Sequence, residues 1–155
     1  MNLVHEKRFN AFFNSDKKDV LSLDSEGYIM SVFEPTVPMS TYLVAFIVCD
    51  FNIHTTQTKE GVNIRALVPQ GQDSQSSYAL KSAAAILSYF QEFFNVTYPL
   101  SKLDLVAVPD FAAGAMENWG LITFRTTVFL FNDNESSIEA QEQVAIVVGQ
   151  SLRIT

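Results

Sequence analysis

The chain has 155 residues, and 10 Lys and Arg against 17 Asp and Glu leave a formal net charge of −7. This acidic balance argues against nucleic acid as a partner, because phosphate contacts need clustered cations. Hydrophobic residues make up 48% and charged residues 17%, so the chain is too apolar to be disordered and can form one ordinary domain or two small pieces.

The first part of the chain has the pattern of β-strands. Residues 1–16 show only weak periodicity. Val20–Leu23 and Tyr28–Phe33 are rich in β-forming residues and are separated by a turn signal. The apolar run Tyr42–Phe51 is typical of a buried strand. The first 55 residues are therefore predicted to be all-β.

A polar stretch, Thr55–Gly61, follows these strands, and we place a domain boundary in it, after residue 57. Beyond it, Asn63–Val68 alternates and ends at a proline, which predicts a further strand. Tyr78–Phe94 carries apolar residues at helical spacing and includes three consecutive alanines, so it is the strongest helix prediction. Asn95 is expected to end this helix.

Three more elements are predicted in the last third of the chain. Leu103–Val108 alternates as a strand, and Leu121–Phe131 also has strand character. Ile138–Leu152 is compatible with a helix whose N-terminal cap is Ser136 or Ser137. The predicted fold class is α+β, with strands first and then a mixed sheet covered by one long helix.

The most informative segment lies just before the last predicted strand. Its residues are Gly114, Ala115, Met116, Glu117 and Asn118. Small residues there let a ligand approach the backbone closely, beside one carboxylate. For an arbitrary Glu, a solvated loop residue is the ordinary interpretation. However, the longer run Gly114–Gly120 reads GAMENWG, which resembles the exopeptidase motif of the zinc aminopeptidases of the aminopeptidase N and puromycin-sensitive type.

The resemblance extends from about Tyr28 to about Val148, in the expected order. The segments that carry it beside the motif are Met39–Phe46, Tyr98–Phe111 and Leu121–Arg125. It implies that residues 1–57 are the C-terminal strands of the family's N-terminal β domain. It also implies that residues 58–155 are the first part of its thermolysin-like catalytic domain.

The function that the resemblance implies is a zinc metalloaminopeptidase that removes N-terminal residues from peptides. In that family the Glu matching Glu117 binds the substrate's free α-amino group. A carboxylate at the end of a cleft pairs with an ammonium and disfavours blocked N-termini. Gly114 to Met116 would line the substrate backbone, held as an added strand. Asn118 and Trp119 are expected mainly to hold the segment in place, and the expected partner is a peptide with a free N-terminus.

The zinc ligands of the family have no counterpart in this sequence. The family uses H-E-x-x-H on one helix, which supplies two His ligands and the Glu that activates water, and a second Glu one helix later. Val144–Val148 resembles the run before this motif, but Gln150 to Ile154 stand where the motif belongs. His5 and His54, the only histidines, are expected to be packing or surface residues. We therefore expect no metal ligand, no catalytic residue and no zinc in this chain, although the complete family enzyme needs zinc.

Three interpretations of the absent motif stay open. The chain is a truncated product missing the remainder of the catalytic domain, which the abrupt loss of resemblance at Gly149 favours. Alternatively, it is a non-catalytic homologue that binds peptides through Glu117, or it is unstable because apolar surface is left uncovered. Whether the chain is an enzyme is undecided at this level, and no peptidase activity is expected of it alone.

The sequence says little about the compartment. No run reaches the roughly 18 apolar residues of a membrane span, and the N-terminus lacks a signal-peptide core, so we expect no transmembrane segment and no targeting signal. The family includes cytosolic and cell-surface enzymes, so the cytoplasm and the extracellular side both stay open. Asn95 and Asn134 begin N-glycosylation patterns that matter only in a secreted chain. Cys49 is the single cysteine and is expected to be a buried thiol.

Overall fold

The computed structural model of the protein describes residues 1–24, 26–132 and 136–153. These residues form ten strands and three α-helices. The strands are β1 (Asn2–Glu6), β2 (Asn10–Phe13), β3 (Lys17–Ser22), β4 (Tyr28–Phe33), β5 (Phe46–Cys49), β6 (Asn52–Gln57), β7 (Asn63–Val68), β8 (Lys102–Val108), β9 (Ala115–Met116) and β10 (Leu121–Arg125). The helices are α1 (Ser77–Phe94), α2 (Thr126–Phe129) and α3 (Ile138–Leu152). The α+β prediction is confirmed.

The N-terminal part consists of two small antiparallel sheets. One has the order β1-β4-β3, and the other pairs β2 with β5. Strand β4 has the predicted bounds, and β3 overlaps the predicted strand Val20–Leu23. Residues 1–16, where the periodicity was too weak for a prediction, contain β1 and β2.

The prediction of one buried strand over Tyr42–Phe51 is wrong. Thr41–Leu43 is a 3-10 turn, and only Phe46–Cys49 is a strand in this region. The Tyr42 and Phe46 side chains are 68% and 56% exposed. Strand β5 pairs with β2 alone and buries only alternate residues, including Cys49. A run of apolar residues therefore predicts burial poorly where one face of a strand has nothing packed on it.

The larger sheet has five strands in the order β6-β7-β8-β10-β9. Its three central strands, β7, β8 and β10, are mutually parallel, whereas β6 and β9 are antiparallel edge strands. The central strands carry buried apolar residues on both faces because both faces are covered. Strand β7 has the predicted bounds, and β8 begins one residue before its prediction.

Helices cover one face of this sheet, and the pair β2 and β5 covers the other. Helices α1 and α3 pack on each other and on residues such as Leu105 and Phe124. On the opposite face, Val106 and Leu121 pack against Phe12 of β2. Both long helices were predicted, α3 with its observed bounds. None of the helices described has the length and apolar character needed to cross a membrane.

The ends of both long helices follow local rules. Ser137 caps α3, since its hydroxyl accepts a hydrogen bond of 3.3 Å from the Ala140 N–H. Asn95 ends α1 in the left-handed region with φ 51°, where Asn is tolerated better than most residues. Both residues were predicted for these roles.

The polar stretch Thr55–Gly61 is the end of β6 and the turn into β7, not a linker. Strand β6 pairs along its whole length with β7, so residues 52–57 belong to the five-stranded sheet. An edge strand needs little apolar character, so a polar sequence alone does not distinguish it from a segment between domains. The division into residues 1–57 and 58–155 stays a prediction.

The predicted strand Leu121–Phe131 is correct only for its first part. Strand β10 ends at Arg125, and Thr126–Phe129 forms the short helix α2. This turn brings the fully buried Phe129 ring back onto Phe124, with the ring centroids 4.9 Å apart. The tertiary stacking of two aromatic rings therefore overrides the local strand preference of this segment.

Candidate functional site

The GAMEN segment, Gly114–Asn118, contains the edge strand β9. Ala115 pairs with Phe124 and Met116 with Thr123 of β10, in antiparallel register. No described strand pairs with the other side of β9, which is the last strand in the sheet order. A Cβ atom built on Gly114 would meet no atom within 4 Å, so the space beside its backbone is open. An extended peptide could therefore pair with this edge.

Glu117 follows β9 directly and is the one carboxylate of the segment. Its side chain is partly buried and has no hydrogen bond or ion pair with another residue of the described ranges. A carboxylate in this state loses some of its water without gaining a protein partner. A cationic ligand is well suited to supply that partner, because hydrogen bonds between charged groups are about twice as strong as neutral ones.

Asn118 holds the segment to the N-terminal part of the chain. The residue is only 5% exposed, and its side-chain amide donates a hydrogen bond of 3.2 Å to the Leu43 carbonyl. Its backbone carbonyl accepts the Leu121 N–H at 3.0 Å, which closes the turn into β10. Of the five residues named from the motif, Asn118 thus lies inside, whereas Gly114 to Glu117 lie at or near the surface.

Asn14 is a second buried amide at this junction, and the sequence contained no signal for it. It is 2% exposed, and its Nδ2 donates to the carbonyls of Leu43 at 2.9 Å and Trp119 at 2.7 Å. Its Oδ1 accepts the Ala45 N–H at 2.8 Å. Asn14 and Trp119 are 105 residues apart in the chain, which explains why local patterns could not connect them.

Gly120 ends the motif in a conformation that only glycine adopts easily. Its φ is +73°, and a Cβ atom there would lie less than 3.0 Å from the Asn14 carbonyl oxygen. Its own carbonyl accepts hydrogen bonds from Lys102 Nζ at 2.7 Å and from the Asp104 N–H at 3.0 Å. The turn after Glu117 is thus closely packed on Asn14, directly after β2, and on β8.

A buried charge network lies beneath this turn. Asp104 is fully buried and accepts two hydrogen bonds from Arg65, at 2.5 and 2.7 Å, and one from Lys102 Nζ at 2.8 Å. Lys102 also donates to the Phe13 carbonyl at 2.6 Å. Burial lowers the pKa of Lys102, although the attraction of Asp104 opposes this shift. The network ties β2, β7, β8 and the turn at Gly120 together.

Arg125 supports the loop that leads into β9. Its guanidinium donates to the carbonyls of Phe111 at 2.8 Å, Ala113 at 3.2 Å and Ala112. Its backbone N–H donates to the Gly114 carbonyl at 2.9 Å. One residue therefore satisfies the carbonyls of four consecutive residues. In the sequence, Arg125 was only the last residue of a segment resembling the family, and this positioning role was not foreseen.

The sequence is similar to a known protein family and to several known proteins. Residues 78–152 match the model of the Peptidase family M1 domain. The chain is 44% identical over 147 residues to endoplasmic reticulum aminopeptidase 2 of Homo sapiens, covering 95% of this chain and 15% of that protein.

Two further relatives have related names. Endoplasmic reticulum aminopeptidase 1 of Mus musculus is 42% identical over 128 residues, covering 83% of this chain and 14% of that protein. Aminopeptidase A of Gloydius brevicauda is 38% identical over 152 residues, covering 98% of this chain and 16% of that protein. The chain belongs to peptidase family M1. It spans about 15% of the length of these curated M1 relatives.

Peptidase family M1 is zinc-dependent, but the described part of this M1 chain does not fit a zinc site. No three His, Cys, Asp or Glu residues within it come together in a way that could hold a metal ion. His5 is buried in the N-terminal sheet, with its Nε2 2.9 Å from the Ser31 hydroxyl. His54 lies on the edge strand β6 with its Nε2 3.2 Å from Asp73. Each histidine thus has a local structural partner.

Proposed function

We propose that this chain is the part of an M1 aminopeptidase that binds the N-terminus of peptide substrates. The substrate backbone pairs with the free edge of β9, and its α-ammonium pairs with Glu117. One observation carries the proposal: a carboxylate without a partner among the described residues follows an edge strand that has one side unpaired in the described sheet. Members of this family are aminopeptidases by name, which supports the assignment.

The residues of the segment have distinct roles in this proposal. Gly114, Ala115 and Met116 offer backbone groups to the peptide, and the absence of a side chain at Gly114 keeps the approach open. Glu117 requires a free ammonium, so blocked and interior peptide segments are excluded. Asn118 contributes by fixing the turn that follows Glu117, since its amide is bonded to Leu43.

The proposal assigns binding, and not hydrolysis, to this chain by itself. The described residues present no ligand set for zinc, and neither histidine lies in the GAMEN segment. We expect an isolated chain to bind peptides with a free N-terminus without cleaving them. Cleavage then requires groups that the described residues do not supply.

The binding proposal is tested with a tetra-alanine peptide that carries a fluorophore at its C-terminus. Fluorescence anisotropy is measured with the free peptide, its N-acetylated form, and the variants Glu117→Gln and Glu92→Gln. A charged hydrogen bond contributes about 1.5–3 kcal/mol, which corresponds to about 10- to 150-fold in affinity. Acetylation and Glu117→Gln should each weaken binding by this factor.

Glu92→Gln is the matched control, because it removes the same charge from an exposed site at the end of α1. It should leave the affinity unchanged. Equal affinity for the free and acetylated peptides, or an unchanged affinity in Glu117→Gln, would show that Glu117 does not recognise the ammonium.

We also propose that the chain is located in the endoplasmic reticulum. The names of two similar M1 proteins, endoplasmic reticulum aminopeptidases 1 and 2, support this assignment. Fractionation of cells that express the protein tests it, with an antibody against the chain. The chain should sediment with microsomes and resist added protease until detergent is present. Recovery in the soluble fraction would contradict the proposal.

A further inference from the structure

The segment after α1 takes no part in the proposed peptide site, yet it has a specific pattern. Asn95-Val96-Thr97 matches Asn-x-Thr, the acceptor pattern for N-linked glycans. An acceptor must lie on the surface because the glycan is large and hydrated. All three residues are exposed in the folded chain.

Asn95 is the exposed residue at which α1 ends. Asn95 has φ 51° and ψ 44°, and its N–H closes the last turn of α1 on Gln91 and Glu92. Val96 N–H also donates to the Gln91 carbonyl, at 3.1 Å. The Asn95 amide itself has no hydrogen bond to another residue of the described ranges. It is therefore free to carry a substituent without loss of a contact in the fold.

The surface beside Asn95 is unusually aromatic. Phe93 is 65% exposed and stacks on the exposed Tyr89 ring, with the ring centroids 5.6 Å apart. The Phe94 ring lies edge-on to the Phe93 ring, with a centroid distance of 5.0 Å. An exposed apolar patch of this kind indicates a surface that another group covers. Sugar rings suit this surface, because their C–H groups pack on the electron-rich faces of aromatic rings while their hydroxyls stay in water.

We propose that Asn95 is an N-glycosylation site and that its glycan lies beside the aromatic patch Tyr89–Phe94. The donor is an oligosaccharide linked to a lipid diphosphate. The Asn95 Nδ2 forms a bond to C1 of the first sugar, the C1–O bond to the diphosphate breaks, and the lipid diphosphate leaves. The amide nitrogen loses one proton to a base. The proposal rests on the endoplasmic reticulum location inferred above, since this donor is used in that compartment.

The second acceptor pattern provides an internal control. Asn134 begins Asn134-Glu135-Ser136 and lies outside the described residues. Removing it by Asn134→Gln leaves Asn95 as the start of the one remaining Asn-x-Ser/Thr pattern in the sequence.

The test is translation of the full 155-residue chain behind a cleavable signal peptide, in the presence of microsomes. Signal-peptide cleavage verifies that the chain has entered the lumen. The Asn134→Gln chain should show one mobility shift that peptide N-glycosidase removes, and mass spectrometry should then find Asp at position 95. Adding Asn95→Gln or Thr97→Ala should abolish the shift, whereas Thr97→Ser should retain it.

A translocated Asn134→Gln chain without a shift, or with an unmodified Asn95 peptide, would overturn the proposal. The assay detects sugar attachment and not peptide binding, so failure of the Glu117 proposal leaves its result unchanged. Because the assay supplies a signal peptide, its result also does not depend on where the native protein is located. Cell fractionation decides that question independently.

Discussion

Replacement of Gly120 by alanine tests how firmly the turn after Glu117 is locked in place. Gly120 has φ +73°, and an added Cβ would lie less than 3.0 Å from the Asn14 carbonyl oxygen and 3.0 Å from Leu100 Cδ1. Movement of the Asn14 backbone is costly in free energy, because the Asn14 side chain is hydrogen-bonded to Leu43, Ala45 and Trp119. The clash is with backbone that the surrounding hydrogen bonds fix.

Two effects set the expected loss of stability in the Gly120→Ala chain. A left-handed conformation costs a residue with a Cβ atom roughly 1–2 kcal/mol. Insertion of a methyl group into closely packed surroundings costs a further ~1–3 kcal/mol. The Gly120→Ala chain should therefore be about 2–5 kcal/mol less stable. For a chain of this size, each kcal/mol lowers the unfolding midpoint by about 2–4 °C.

The assay is urea and thermal unfolding followed by circular dichroism, with Gly71→Ala as the matched control. Gly71 has φ +83°, but a Cβ there would meet no atom within 4 Å, so this variant has the conformational cost without the clash. Gly120→Ala should be less stable than Gly71→Ala by about 1–3 kcal/mol. Equal stabilities would refute the reasoning, since the contact with Asn14 would then contribute nothing.

Two other predictions concern the loop before β9 and the buried thiol. Arg125→Gln should make the amides of residues 112–116 exchange with deuterium about 10- to 100-fold faster, because the loop loses charged hydrogen bonds. Arg8→Gln, which removes a guanidinium at an exposed ion pair, should not change these rates, and unchanged rates in Arg125→Gln would exclude the supporting role. Burial raises the pKa of Cys49 above its ordinary value of 9.0. As the pH rises, the thiol of the unfolded chain therefore ionises before that of the folded chain. The contribution of the buried thiol to stability is complete below about pH 9 and is lost as the pH rises above it. The urea midpoint of the wild type should fall between neutral pH and about pH 10 more steeply than that of Cys49→Ala, and parallel curves would contradict this.

Periodicity and local capping were sufficient for the most regular elements. The bounds of Tyr28–Phe33, Asn63–Val68 and Ile138–Leu152 agree with the sequence prediction. In each segment, the apolar pattern and the flanking Pro, Gly or Ser favour the same secondary structure and the same bounds. Such agreement between local preference and the fold is what makes short-range prediction work.

Local patterns were misleading where burial depends on a distant partner. Tyr42–Phe51 is apolar throughout, but it is half exposed because β5 pairs with β2 alone. Leu121–Phe131 changes from strand to helix at Arg125 because Phe129 stacks on Phe124. In both segments the packing partner, and not the local sequence, decides the outcome.

The candidate site also has a part that local sequence predicts and a part that depends on distant partners. Gly114 to Glu117 were identified from seven consecutive residues, because backbone access and one carboxylate are local properties. Asn118 and Trp119 were predicted to hold the segment, but the supports that lie outside the motif were not identified. Lys102 reaches the site from β8 and Asn14 from the bend after β2, and nothing near them in the chain marks their role. Arg125 is closer in sequence, but only the folded loop shows that it bonds four carbonyls.

The sequence by itself determined the α+β class, the family and the segment that faces the substrate in our proposal. These follow from hydrophobic period and from short runs of specific residues, which do not depend on distant contacts. Only the tertiary structure decided that β9 is a free edge, that Glu117 has no described partner, and that Gly120 must be glycine. These properties depend on contacts between strands, carbonyls and charged groups that are far apart in the chain. Only the folded backbone brings those groups together.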